Sequence, residues 1–352
     1  MEVSIHLEKI KHNISIIQDI SRKAGLQTVW VTKGCHSHPA IICALDEMGA
    51  EIVGEVYPSN LQRISKIFSG DLMMIHFPAL SQARETVACT DINLVSSLEH
   101  TEALSRAAEE MGKQQRIIMM VDVGNLREGV MPKKVLSTVR KILPLRGVEL
   151  IGLGTSVGCY GGYLAEERDL HQLEKITKET EEASGHRFQV LSAGSGTMLF
   201  ELIRNRKLPE RINQMRIGAA LLVGEKPPTK EPIYPLHQDC FIFSGEILEM
   251  DRKPSLPSGR TGFDAFGRKV TFEDMGERMK VLLNFGMVDV DIYNLTPRTP
   301  GVKIIGGTSN YTICDIHDCP EKFWVGKCLD FRMGYSAMTR AMSSVYVLKK
   351  VV

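Results

Sequence analysis

Lys33 ends an apolar run in the segment VWVTKGC, where a charged amine is ordinarily the first solvated residue after a strand. A lysine held at the mouth of a sheet can also form a Schiff base with a carbonyl compound. Three further stretches carry residues suited to such a site. VDVGNLREGV places Arg127 on a loop between Gly124 and Gly129. SAGSGT places Ser195 and Gly196 just before a helix, and QMRIGAALLVG places Arg216 before Gly218 and Ala219. Backbone N–H groups at a helix start make a natural cradle for phosphate.

These residues need a frame that brings them to one place. Eight apolar runs of strand length alternate with helical periodicity, at 28–33, 51–56, 72–77, 91–95, 116–124, 148–156, 188–194 and 212–218. Strict alternation implies a parallel sheet, and eight units close a (β/α)8 TIM barrel. An open doubly wound sheet is the alternative, but it usually stops at fewer strands. The segment 224–239 carries four prolines and suits a linker. Beyond it, FIFSGEILEM, RKVTFED, MKVLLNF, VKIIGG, YTICDI and SSVYVLKK read as short strands. The predicted organisation is a barrel over residues 1–228 and a C-terminal all-β domain over 229–352.

In such a barrel the active site lies at the C-terminal ends of the strands, and phosphate often binds between the seventh and eighth loops. Lys33 is expected at the end of the first strand, Arg127 after the fifth, Ser195 and Gly196 after the seventh, and Arg216 and Gly218 at the eighth. A Schiff-base lysine facing a phosphate nest is the constellation for pyridoxal phosphate.

Composition agrees with a small-molecule enzyme. In 352 residues, 43 Lys+Arg balance 42 Asp+Glu, which gives no electrostatic reason to expect nucleic acid or an anionic membrane as partner. The amino-terminal MEVSIHLEKIKHNISIIQDI mixes charge into every turn, unlike a signal peptide or membrane span, so a cytoplasmic location with reduced cysteines is expected. Cys35, His36 and His38 are too crowded for a regular tetrahedral site, and Cys314, His317 and Cys319 lack a fourth ligand. No metal is expected.

With MMVDVGNLREG, RKPSLPSGRTGFDAFG and FRMGYSAM, and with its overall layout, the chain resembles the two-domain, alanine-racemase-like pyridoxal-phosphate enzymes, most closely the ornithine-racemase branch. The resemblance implies that Lys33 is the cofactor lysine and that Arg127 lies near the ring hydroxyl. It assigns Ser195, Gly196, Gly218 and Ala219 to the phosphate loops, with Tyr335 as a phosphate-contacting tyrosine. It places Arg216 beside the pyridine nitrogen. It also implies a head-to-tail homodimer in which each β domain completes the partner's site.

Arginine keeps its proton at neutral pH and can only donate, which favours return of a proton to Cα over transamination. Fold-related decarboxylases place a glutamate there, so Arg216 speaks against decarboxylation, one alternative function. A non-catalytic pyridoxal-phosphate carrier is the other, and the second domain speaks against it. Racemisation needs proton-transfer groups on both faces of the reacting carbon. Lys33 serves one. On the other, Met287 in FGMVDV stands where the family has tyrosine, leaving Asp289, Asp264, Cys159 and Tyr335 as candidates. Ser309 and Asn310, in GGTSNYTICD, match a substrate-facing turn that carries an aspartate in the decarboxylases. Ornithine is the leading expected substrate.

Overall fold

The computed structural model describes all residues except 158–159, 165, 195–207, 227–228 and 265. The chain divides into two compact units, Ile10–His237 and Met1–Lys9 together with Gln238–Val352. The first strand, β1 (Glu2–Ile5), belongs to the second unit, and helix α1 (Leu7–Lys23) follows it.

The first unit is a closed barrel of eight parallel strands, β2 (Gln27–Val31), β3 (Ile52–Glu55), β4 (Asp71–Met74), β5 (Ile92–Val95), β6 (Gln115–Met120), β7 (Val148–Thr155), β8 (Val190–Gly194) and β9 (Gln214–Ile217). Helices α2 (Pro39–Glu47), α3 (Pro58–Ile64), α4 (Ala83–Cys89), α5 (Leu98–Glu110), α6 (Val135–Ile142) and α7 (Glu167–Ser184) lie between successive strands. The strands read as continuous apolar runs because parallel strands under helices are buried on both faces. Val29, Met73, Leu94, Ile118 and Met120 form one buried cluster, and full burial of each contributes roughly 1.5–3 kcal/mol.

All eight predicted strands are present, but several stop earlier than their apolar runs. Lys33 is not the last residue of its strand: β2 ends at Val31 and Lys33 opens a 3-10 turn, Lys33–Cys35. Similarly β6 ends at Met120, because Asp122 folds the chain into a turn by accepting from the N–H groups of Gly124 (2.8 Å) and Leu126 (3.1 Å).

After the barrel, β10 (Glu225–Lys226) pairs with β11 (Glu231–Pro232) in a small hairpin. The second unit contains β12 (Phe241–Pro254), β13 (Glu277–Leu283), β14 (Leu295–Pro297), β15 (Lys303–Gly307), β16 (Thr312–Asp315), β17 (Cys328–Met333) and β18 (Leu348–Val351). Their order is β14-β17-β12-β13-β16-β15, with β1 pairing both β12 and β18. RKVTFED is not a strand: only an isolated bridge, Phe263 to Lys269, forms there. The unit also holds an α-helix, Tyr335–Ser343, absent from the all-β expectation. Phe285 packs edge-on against Phe243 and Phe331 and anchors this core.

Candidate active site

The barrel interior changes character along the seam where β2, β8 and β9 meet. Arg216 lies opposite Val29 on β2 and opposite Gly194 on β8. Its Nη1 donates to Ser192 Oγ and its Nη2 to the Thr155 carbonyl, both at 2.5 Å. The chain of bonds continues downward: Ser192 Oγ donates to Gln214 Oε1 (2.7 Å) and Gln214 Nε2 to Gln27 Oε1 (3.0 Å). Gln27 Nε2 then donates to Glu51 (2.8 Å). Such a satisfied polar row fixes a side chain far better than one bond would. Gly194 is required there, since a Cβ would come within 2.9 Å of the guanidinium.

Burial pushes the Arg216 guanidinium down to about 10, with Glu128 opposing and Arg127 adding to the effect. It remains protonated at neutral pH and so acts only as a donor. Arg127 does not stand open at the mouth. It makes a two-pronged ion pair with its neighbour Glu128, through Nε and Nη2. Burial works to raise the Glu128 carboxyl, but the hydrogen-bonded Arg127, with Ser156 and Arg216, outweighs it and holds the group below its ordinary range. Glu128, which joins Arg127 and Arg216 electrostatically, is a residue that sequence reasoning missed; its only signal was adjacency to Arg127.

Lys33 is exposed, and its amine has no hydrogen bond or ion pair with any described residue. Gly218 precedes the five-residue helix Ala219–Val223 and packs against the end of β2, where a Cβ would lie 3.3 Å from Val31. Ser195 and Gly196 lie outside the described residues, as does Cys159. Lys33, Arg127, Arg216, Gly218 and Ala219 therefore share the C-terminal end of one barrel.

Tyr335, Ser309, Asn310 and Met287 belong to the second unit. Tyr335 is half-buried at the start of its helix, just after Gly334. Ser309 and Asn310 form the tip of the β15–β16 hairpin, where Thr308 Oγ1 accepts from the N–H groups of Asn310 (3.3 Å) and Tyr311 (3.1 Å). The Gly286–Asp289 turn is bound to that hairpin: Met287 N donates to Thr308 O (2.9 Å) and Val288 N to Ser309 O (3.1 Å). Gly286 has no room for a Cβ, which would lie 2.4 Å from the Ser309 carbonyl. Met287 is only 3% exposed, whereas Val288 is 57% exposed. Asp289 closes its own turn by accepting from Gly286 N (3.1 Å), and Asp264 accepts from Phe266 N and Arg268 N (both 2.8 Å). Both carboxylates thus have local structural tasks.

These features fit an anionic, flat carbonyl cofactor. Arg216 supplies positive charge, an amine is available to react, and Asn125, 5% exposed on the same loop as Arg127, has both amide atoms without a partner among the described residues. Buried amides left unsatisfied are costly unless something else completes them. Barrel, lysine and anchored arginine together suit amine and carbonyl chemistry.

Comparison with known proteins narrows this class. The family model described as alanine racemase, N-terminal domain, matches residues 5–226. A curated relative named ornithine racemase, from Acetoanaerobium sticklandii, is 31% identical over 351 residues, covering 99% of each chain. Another, named lysine racemase, from Thermotoga maritima, is 34% identical over 346 residues, covering 98% of this chain and 96% of the relative. Among solved structures, an alanine racemase from Streptomyces lavendulae superposes with a TM-score of 0.77 at 15% identity, covering 100% of this chain and 96% of the other. One from Clostridium difficile gives 0.76 at 13%, covering 100% and 95%. The chain belongs to the alanine racemase family and is a pyridoxal-phosphate-dependent amino-acid racemase.

Proposed function

We infer that the protein interconverts the L and D forms of a basic free amino acid, with ornithine as the leading substrate. Pyridoxal phosphate supplies a carbonyl for the amine and an electron-withdrawing ring. The chain's own residues account for the rest. Lys33 would hold the cofactor through its amine and would remove or return the Cα proton on one face. Arg216, locked in its polar row, offers a fixed donor that gives up no proton, which favours proton return at Cα. Arg127, held by Glu128, and the Gly218–Ala219 segment with Ser195 and Gly196 bind the anionic parts. The family resemblance assigns Tyr335 a phosphate contact. Met287 has no transferable proton, so a different group serves the second face.

Ser309 and Asn310 are assigned to substrate recognition, with the Asn310 amide accepting from a distal ammonium. The relative named ornithine racemase supports ornithine, and the one named lysine racemase favours lysine as the second choice. A head-to-tail homodimer is part of this reading, supported by the exposed apolar side chains Phe263, Phe266, Phe272 and Met275 between β12 and β13. Light scattering is expected to give twice the 39.3 kDa chain mass. A cytoplasmic location is supported by the described cysteines, all of them free.

The observation that carries the proposal is a lysine with no partner among the described residues, at the same barrel end as an arginine held by Ser192 and Thr155. Chiral chromatography after incubation with each enantiomer of ornithine, lysine, arginine, alanine and serine tests it. The opposite enantiomer is expected from ornithine, and more slowly from lysine. Carbon dioxide release without inversion would replace the reading with decarboxylation, and no turnover despite bound cofactor would replace it with a carrier role.

A further inference from the structure

Glu55, the last residue of β3, is completely buried, and no ion pair with it is found among the described residues. A buried carboxylate without a cation is expensive and needs strong hydrogen bonds to persist. Three neutral groups supply them: Val56 N (2.6 Å), Asn60 Nδ2 (3.2 Å) and Ser37 Oγ (2.6 Å). The first two are local to the β3–α3 corner. The third reaches eighteen residues back along the chain, into the turn that carries Lys33.

That turn is unusual. Beyond β2, Cys35 N and Ser37 N both donate to Thr32 O (3.1 Å each), and His36 N donates to Lys33 O (3.2 Å). His36 and Ser37 are successive non-glycine residues in the left-handed region, at φ 51° and 46°. Such backbone persists only where its surroundings over-determine it. Here Ser37 Oγ also lies 2.8 Å from Thr32 Oγ1, and Arg63 Nη2 donates to His36 O (2.5 Å) and Ser37 O (3.4 Å). Thr32, on which the turn closes, directly precedes Lys33. Through Ser37, the Glu55 carboxylate clamps both ends of the segment from which the lysine projects, and charge-assisted bonds are the stronger kind.

We propose that Glu55 is a positioning residue for Lys33: it holds Ser37 in its left-handed conformation and thereby fixes where the Lys33 amine stands. This rests on Lys33 being the cofactor-linked lysine. Substitution by glutamine keeps the shape but leaves one acceptor oxygen for three donors, so the clamp loosens.

The test uses the full chain, titrated with pyridoxal phosphate and then reduced with borohydride, with peptide mass mapping of the trapped lysine. Glu55→Gln is expected to bind the cofactor about tenfold more weakly and to trap Lys33 correspondingly less, because small misplacement of a reacting group is costly. Adding Ser37→Gly is expected to restore most of that loss, since glycine takes the left-handed conformation without penalty. Unchanged trapping in Glu55→Gln, or a loss that Ser37→Gly does not relieve, would overturn the proposal. Should Glu55→Gln fail to fold, Ser37→Ala cuts the same link while leaving Glu55 two donors; wild-type cofactor affinity in that variant would overturn it equally. The Lys33→Ala chain separates the two readings: a reducible link that persists there removes Lys33 from its role whatever Glu55 does.

Discussion

At the end of β9, Arg216 is fixed by a row of side chains, Ser192, Gln214 and Gln27, together with the Thr155 carbonyl, whereas the Gly286–Asp289 turn of the second unit is held chiefly by backbone bonds to Thr308 and Ser309, with the Asp289 carboxylate closing it. The difference separates two kinds of constraint. In the barrel, chemistry depends on particular side chains whose partners are other particular side chains, so single substitutions there should be severe. In the second unit the scaffold is held chiefly by backbone bonds, and Val288, Asn310 and Tyr311 are exposed on it. On the proposed reading, reactivity belongs to the barrel and selectivity to the hairpin tip.

The most severe way to probe this contrast is Lys33→Ala, expected to lower the racemisation rate at least about a thousandfold for every substrate, measured as enantiomer conversion. Next, Arg216→Met removes the donor that feeds Ser192 Oγ and the Thr155 carbonyl. A loss of about a hundredfold is expected, with a lower melting temperature, because buried acceptors are left unpaired. Glu128→Gln weakens the hold on Arg127 and is expected to raise KM about tenfold with a smaller change in kcat. Asn310→Asp, on the backbone-held tip, should leave kcat with ornithine within a few-fold. It should shift kcat/KM towards basic and away from neutral substrates by roughly tenfold. A large fall in kcat from Asn310→Asp, or a mild one from Arg216→Met, would break the comparison.

Glu181 offers a control outside both regions. Its carboxyl is held at about 2, chiefly by the hydrogen-bonded Arg211, against a burial effect of opposite sign. Because the folded value lies below the ordinary 4.5, the unfolded chain takes up the proton first as pH falls. The stabilisation is therefore full above about pH 5 and is lost towards pH 2. Melting curves of Glu181→Gln and wild type should differ at pH 7 and converge as the pH is lowered, with catalysis little affected at pH 7.

Much of the barrel was legible because parallel strands under helices are apolar throughout, so eight runs stood out by length and spacing. Their ends were not. Val31 and Met120 terminate strands through turns made by Thr32 and Asp122, and polar closure of that kind leaves little trace in hydropathy. Lys33, Arg127 and Arg216 were readable as charges interrupting apolar or glycine-rich stretches. Glu55 was not, since it acquires meaning only from Ser37, which folding brings near, and Glu128 offered nothing beyond adjacency to Arg127 until folding set it beside Ser156 and Arg216. In the second unit RKVTFED alternates like a strand yet finds only one bridge, and the helix Tyr335–Ser343 is too short for its period to declare itself.

The division of labour is tested most directly by α-proton exchange in D2O, followed by proton NMR for both enantiomers of ornithine and lysine, in wild type, Lys33→Ala and Asn310→Asp. Exchange and inversion are expected in wild type, none in Lys33→Ala with either substrate, and retained exchange with both basic substrates in Asn310→Asp. Exchange that survives in Lys33→Ala, or disappears in Asn310→Asp, would contradict it.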